Sequence, residues 1–310
     1  MIEKRGQFNP EVKLPPETES DMASIRLEFF RHDDKESEAG DPSVRLSQRG
    51  RVHATEAGLT KNAHAEVALA YGSLKDRTAE TALRHALARR EEIQPTHSLE
   101  DIQRIVDQEL NVGKKGKKLI KNRVLPQLNL NNRGTAQYRQ QWLQHYKESK
   151  DALRFVYHDS DRLAQELNDK KSTSYSRAAG NVAELIQKYI GILPRWQEIV
   201  KQNPDKYKRF RDELQRFFCS HHAVLEPFLM KVIERTEGEE GVEKFIESLP
   251  NKNGFGLSEG YSVTITGHDG QPTVTLKYGD KEWVIPTEMV NEIVRERDEF
   301  NHLIDNKSSV

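Results

Sequence analysis

The run Ile25-Arg26-Leu27-Glu28-Phe29-Phe30 places four large apolar residues in six positions and stops at Arg31-His32, where the polar stretch HDDKESEAGDPS takes over. A run this short, with a polar stop, has strand length rather than helix length. Arg45 to Gly50 then opens a helix to about residue 58. Ala65 to Tyr71 reads as a second strand, ended by Gly72-Ser73. A second helix follows from Arg77 to about Arg90, with Asp76 as its N-cap. An order of β-α-β-α within a hundred residues favours a parallel sheet covered by helices, because parallel neighbours need a crossover between them. In such a sheet ligands gather outside the carboxyl ends of the strands, where His32 falls.

Further along the texture changes. Polar segments with helical spacing cover 99–110, 114–128, 135–154, 175–190 and 204–215, and the block 98–213 reads as a helical insertion or cap over the sheet. Leu214 to Cys219 is a third apolar strand that stops at Ser220-His221-His222. A helix follows, with Val224, Leu225, Phe228, Leu229, Val232 and Ile233 on its buried side. After an acidic surface helix and loop over 234–259, the segments Tyr261 to Thr266, Thr273 to Tyr278 and Glu282 to Ile285 alternate β-formers. Tight turns separate them, so they read as a meander at the sheet edge. Thr287 to about Ile304 closes the chain as an amphipathic helix. The expected organisation is a flexible leader over 1–21, one α/β domain over 22–304 and a frayed tail over 305–310.

A chain of 310 residues can bury a full core. Its 48 basic and 49 acidic residues leave a net charge of −1, which gives no argument for nucleic acid or membrane as partner. The mean hydropathy of −0.81 predicts long solvated helices. No run approaches the roughly 20 apolar residues of a membrane span, and the first residues lack the apolar core of a signal peptide. The single cysteine, Cys219, reads as a small buried strand residue and fits a reducing compartment, so a cytoplasmic protein is expected. Oligomeric state leaves no mark in the sequence.

Four motifs fall in a telling order: Phe30-Arg31-His32 at the end of a strand; Leu46-Ser47-Gln48-Arg49-Gly50 opening a helix; Tyr71-Gly72-Ser73-Leu74-Lys75-Asp76-Arg77-Thr78-Ala79-Glu80-Thr81-Ala82 after the second strand; and Cys219-Ser220-His221 after the late one. Together they cover about a quarter of the chain. In residues and in order they resemble the histidine phosphatase superfamily, the phosphoglycerate-mutase-like fold. The resemblance implies a three-layer α/β/α fold, with a mostly parallel sheet and here a large helical insertion. It also implies a phosphoric monoester hydrolase with His32 as nucleophile, Arg31 and Arg77 as the phosphate clamp, and His221 as second imidazole. The substrate would be a phosphorylated small molecule or a phosphoprotein; a mutase is a less favoured variant. No metal or organic cofactor is implied, because the histidine itself carries the phosphoryl group.

Those residue types suit that chemistry. Arginine is a permanently charged planar donor matched to phosphoryl oxygens. A neutral imidazole can attack phosphorus, and a second can donate to the equatorial oxygens as charge spreads. Ser73 either contacts phosphate or caps the turn before Arg77, and Ser47 reads as a helix N-cap. The leaving group needs a proton donor. In many relatives a glutamate follows the second helix with a glycine four residues on, so Glu109, with Gly113, is the first candidate. Asp33 and Asp34 are the runners-up, and Glu226 is a more distant one.

Two positions depart from the family's pattern, which has glycine after each histidine: here they hold Asp33 and His222. Asp33 puts negative charge beside a phosphate site unless it turns away, or it orients His32. These departures, with the polar block 98–213, motivate the alternative of an inactive family member that binds a phospho-ligand or a protein. Gly113-Lys114-Lys115-Gly116-Lys117-Lys118 lacks the P-loop pattern and reads as a solvated helix start, or else as a rim attracting an anion. His221-His222 with Glu226 lacks metal-site spacing.

Overall fold

The computed structural model describes residues 23–37, 41–61, 69–110, 121–208, 212–268 and 271–307. Chain order begins β1 (Ser24–Arg31), α1 (Gln48–Thr60), β2 (Leu69–Gly72), α2 (Asp76–Leu87) and α3 (Leu99–Ile105), the last running into a π-helical turn at Val106–Leu110. Strand β3 (Lys121–Val124) and a 3-10 turn at Pro126–Leu128 follow. Next come α4 (Ala136–Leu143), α5 (Ala152–Arg154), α6 (Ser160–Glu166), α7 (Tyr175–Gln202) and α8 (Pro204–Lys208), with π-helical turns after α4 and α5. The chain closes with β4 (Glu213–Ser220), α9 (Glu226–Ser248), β5 (Gly260–His268), β6 (Gln271–Tyr278), β7 (Lys281–Ile285) and α10 (Thr287–Lys307). No helix among the described residues is long and apolar enough to cross a membrane.

One seven-stranded sheet runs β3-β2-β4-β1-β5-β6-β7. Strands β3, β2, β4 and β1 are parallel, whereas β5, β6 and β7 join antiparallel. The sheet is therefore mixed, three parallel pairings against three antiparallel, where a mostly parallel one was expected. Tight connections account for two of the three antiparallel pairings, β5-β6 and β6-β7, since only antiparallel neighbours can be joined by so short a turn. Strand β5, entering after α9, adds antiparallel to β1.

Alternation along the central strands builds two cores. Phe30, Ala70, Phe217 and Cys219 pack with Leu83, Ala86 and Ile102 of α2 and α3. Ile25, Leu27, Phe29, Tyr71 and Phe218 pack with Val182 and Ile186 of α7 and Phe228 of α9. Helices thus cover both faces, giving three layers. On the α7 side one ring from each of four neighbouring strands falls in register. Tyr71 stacks on Phe218 at 4.9 Å, Phe218 on Phe29 at 4.8 Å, and Phe29 on Tyr261 at 5.3 Å.

Several sequence expectations change. Of the predicted strand 65–71, residues 65–68 lie outside the described residues, and β2 occupies Leu69–Gly72. Asp76 is not the N-cap of α2; Lys75 is, with no side-chain bond, and Asp76 is the first helical residue. Its amide donates to Pro42 O and its carboxylate pairs with Arg45, which draws the side chain off the helix end. The predicted helix over 114–128 is wrong at its C-terminal end: β3 adds to the sheet beside β2, and its polar text Lys-Asn-Arg-Val is that of an edge strand. The block 98–213 therefore supplies a strand, and its helix α7 packs on the sheet, so it is more than a cap. The predicted helix over 204–215 stops as α8, and β4 starts at Glu213. Helix α10 continues to Lys307 into the expected tail, and the leader 1–21 and residues 308–310 fall outside the described residues.

Phe218, fully buried at the middle of the ring row, tests this packing. Phe218→Ala is expected to cost about 3–5 kcal/mol, read as a lowered midpoint in urea unfolding; an unchanged midpoint would show that the row does not stabilise the sheet.

Candidate active site

Three parallel strands end on one edge and deliver the side chains singled out in the sequence. Arg31 pairs with Ser220 across β1 and β4, and the His32 amide donates to Ser220 O at 2.9 Å. That bond sets His32 beside His221, ring centroids 5.1 Å apart in an edge arrangement. Strand β2 brings Ser73, whose Oγ shares a 2.9 Å hydrogen bond with His221 Nε2. Arg77, in the first turn of α2, donates through Nε to His32 Nε2 at 3.3 Å. Arg31 donates through Nη1 to Phe255 O at 2.6 Å, and its buried Nε takes no hydrogen bond among the described residues.

The hydrogen bond of His32 Nδ1 fixes the tautomer. Nδ1 lies 2.7 Å from Asp33 O, a carbonyl that can only accept, so the ring proton sits there and Nε2 keeps its lone pair. Burial, above all, and then the Arg77 charge hold the His32 pKa well below the usual histidine value. Burial does the same for His221 and His222, with His32 and Arg77 adding to it for His221 and Arg31 and Lys35 for His222. Both imidazoles of the central pair are therefore neutral at pH 7 and stand beside guanidinium groups.

Ser73 caps the turn before Arg77 and also contacts the second imidazole. Its Oγ accepts from the Lys75 amide at 3.1 Å and also reaches His221. Thr78 supports it: Oγ1 accepts from the Ser73 amide at 2.8 Å and donates to Lys75 O at 2.6 Å. Ser47 is the N-cap of α1, accepting from Gly50 N at 3.0 Å, and it donates to Asp34 Oδ2 at 2.8 Å. Asp34 is thereby engaged in anchoring α1.

Asp33 turns away from the imidazole. Its Oδ2 accepts from Ser258 Oγ at 2.5 Å and lies 2.6 Å from His53 Nδ1, while Oδ1 takes the Asp34 amide at 2.7 Å. Ser258 in turn contacts His85 Nε2 at 3.0 Å, and the His85 ring stacks on Phe30. The main-chain carbonyl of Asp33, and not its carboxylate, orients His32. His222 stacks at 4.6 Å on Tyr146, so the polar block reaches the rim.

Among the acid candidates, Glu109 has its backbone in the π-helical turn Val106–Leu110, and its side chain lies outside what the structure describes. The basic run 113–118 is outside it as well. Glu226 is fully buried at the start of α9, with Oε1 accepting from Phe255 N at 2.7 Å. Burial raises its pKa to about 7 against the pull of its backbone hydrogen bonds and Arg31. No group of three or more His, Cys, Asp or Glu among the described residues is placed to hold a metal ion. Sequence reasoning missed Phe255, whose carbonyl holds Arg31 and whose amide holds Glu226, and the Ser258-His85 pair behind Asp33; backbone groups and long-range partners carry no local signal. Thr78 stood within the quoted motif without a role assigned to it.

No family model and no curated protein matches the chain. Matches exist among solved structures. The native mycobacterial glucosyl-3-phosphoglycerate phosphatase is 14% identical, covering 79% of this chain and 91% of that one, with a TM-score of 0.38. Its complex with inorganic phosphate is 14% identical, covering 86% and 99%, also at 0.38. A protein from Agrobacterium tumefaciens assigned as the phosphohistidine phosphatase SixA is 11% identical, covering 85% and 99%, at 0.29. All are described as phosphatases. At TM-scores below 0.5 these likenesses carry no argument.

The imidazole pKa values give a stability test. A group whose folded pKa lies below its unfolded value binds more protons when unfolded, so stability rises with pH from the folded value up to about 6.5. His32, His85, His221 and His222 all act in that direction. Glu226 acts oppositely between its ordinary value and about 7. Four groups against one predict that unfolding midpoints fall as pH drops below about 6.5; midpoints flat or rising on acidification would contradict it.

Proposed function

We propose that this chain is a phosphatase that hydrolyses a phosphomonoester through a phosphohistidine on His32. The observation that carries the reading is the unprotonated nitrogen His32 Nε2. Its partner Nδ1 is committed to Asp33 O, and Nε2 faces Arg77 with His221 alongside. That is a neutral nucleophile inside a cationic clamp, at the sheet edge where ligands gather.

In this reading Arg31 and Arg77 bind the phosphoryl oxygens. Nε2 attacks phosphorus as the ester P–O bond breaks, and His221 donates to an equatorial oxygen as charge redistributes. The departing oxygen takes a proton from the acid. Water then attacks the phosphohistidine, the P–N bond breaks, phosphate leaves, and the acid regains its proton from that water. Glu109 is the acid the family resemblance implies; Glu226, with its raised pKa, is the candidate among the described side chains. The substrate is a phosphorylated small molecule or a phosphoprotein, and the site needs no metal or organic cofactor for this sequence of steps. The inactive alternative loses its main motive, because Asp33 directs its carboxylate to His53 and Ser258.

Turnover of p-nitrophenyl phosphate tests the assignment. His32→Ala is expected to abolish it, and Arg77→Ala and His221→Ala to lower kcat by about 10²–10³ each, independently of chelator. No turnover by the unaltered protein across a broad phosphomonoester panel would overturn the reading. The two acids separate by leaving group. Substitution of the true donor, Glu109→Gln or Glu226→Gln, slows an alkyl phosphate by about 10²–10⁴ and p-nitrophenyl phosphate far less. Equal losses on both esters would exclude that residue as the acid. If Glu226 is the donor, kcat/KM falls as pH rises through about 7, while the lowered His32 pKa keeps activity below pH 6.5.

A further inference from the structure

Away from the active site, Lys170, Arg177, Asn181, Arg297, Asn301 and Asp305 line a cavity of about 280 Å³ between α7, α10 and the turn before α7. Arg177 is 8% exposed and the Arg297 side chain 12%, so both cations are built into the fold. Gly180 clears the seat for Arg297: a Cβ there would come within 2.3 Å of the arginine's own Cβ. Arg177 donates through Nε to Asn301 Oδ1 at 2.8 Å and through Nη1 to Ser172 O at 2.9 Å. Arg297 donates through Nη1 to Asn181 Oδ1 at 3.3 Å, to Glu184 at 3.1 Å and to Gly180 O at 3.4 Å.

These bonds leave a consistent set of groups over. Both asparagines use their oxygens on the arginines, so both Nδ2 groups remain as donors. Neither Nδ2 takes a hydrogen bond among the described residues, and neither does Nη2 of either arginine. Three cations line the cavity against one carboxylate, and that carboxylate, Asp305, pairs with Lys170 at 2.9 Å. Asp169 and Asp161 lie near Arg177, but their oxygens accept from Ser172, Thr135 and Ser176. Glu184 and Asp298 hold Arg297 from outside the cavity lining. Two guanidinium groups sharing one cavity repel, and a ligand with several acceptor oxygens reverses the sign.

We propose that this cavity is a second, non-catalytic site that binds inorganic phosphate or a small phosphate ester. The ligand ties α7, α10 and the turn before α7 together. The inference goes beyond the catalytic reading and does not need it.

Equilibrium dialysis with radiolabelled inorganic phosphate, at ionic strength fixed with chloride, tests it on the full chain. Arg77→Ala weakens the catalytic clamp and is expected to leave one equivalent of phosphate bound. Adding Asn301→Asp or Asn181→Asp replaces a donor with a carboxylate oxygen while keeping the acceptor for arginine. Either is expected to weaken that remaining binding about tenfold or more. In the otherwise unaltered chain the same asparagine substitutions leave ester turnover unchanged, and phosphate no longer raises their melting temperature by way of this cavity. Undiminished binding by the double variants, or none by Arg77→Ala, overturns the proposal. Failure of the catalytic reading would show separately, as absent turnover with this binding intact.

Discussion

The registration of four strands at one row of rings holds the site in place. Tyr71, Phe218, Phe29 and Tyr261 stack across β2, β4, β1 and β5, and Ser73, Arg31, His32 and His221 of the candidate site lie two or three positions beyond the rings of their own strands. A slip of one residue would turn every side chain to the opposite face. His32 would then leave His221, and the amide bond from His32 to Ser220 O would be lost. The geometry of the candidate site thus depends on apolar packing well inside the sheet, and the mutual support of strand pairing and ring stacking makes that register specific.

Electrostatics then gives each of the gathered residues its state. Burial disfavours the charged form of His32 and His221, and the neighbouring arginines add to that effect. A neutral imidazole standing beside two guanidinium groups follows from that balance. Asp33 would disturb it if its carboxylate entered the pocket. Its partners His53 and Ser258 keep it out, so a residue that departs from the family pattern is accommodated by contacts from distant segments.

How far the sequence revealed this depends on the range of the interaction concerned. Strands with dense apolar text, β1 and β4, were legible, and so were the histidines and arginine at their ends, because local burial and a polar stop mark them. The polar edge strand β3 was read as helix, since its four residues show no alternation. The antiparallel half of the sheet was anticipated as a meander, yet its share of the whole was underestimated. Asp76 looked like a cap but is drawn to Arg45, a partner 31 positions earlier by number. In the site, Arg31, His32, Ser73, Arg77 and His221 carried local signals. Glu226 was named only as a distant candidate, and Phe255 and the Ser258-His85 contact act across the fold, where no spacing in the chain announces them.

The central claim is that His32 becomes phosphorylated during turnover. Rapid quenching of the protein with a phosphomonoester, followed by peptide mass spectrometry under alkaline conditions, addresses it directly. The account predicts an acid-labile phosphoryl group on the peptide that contains His32, absent from His32→Ala and accumulating in a variant of the true acid whenever breakdown is slowed. Turnover without any phosphorylated intermediate, or a phosphoryl group on another residue, would contradict it.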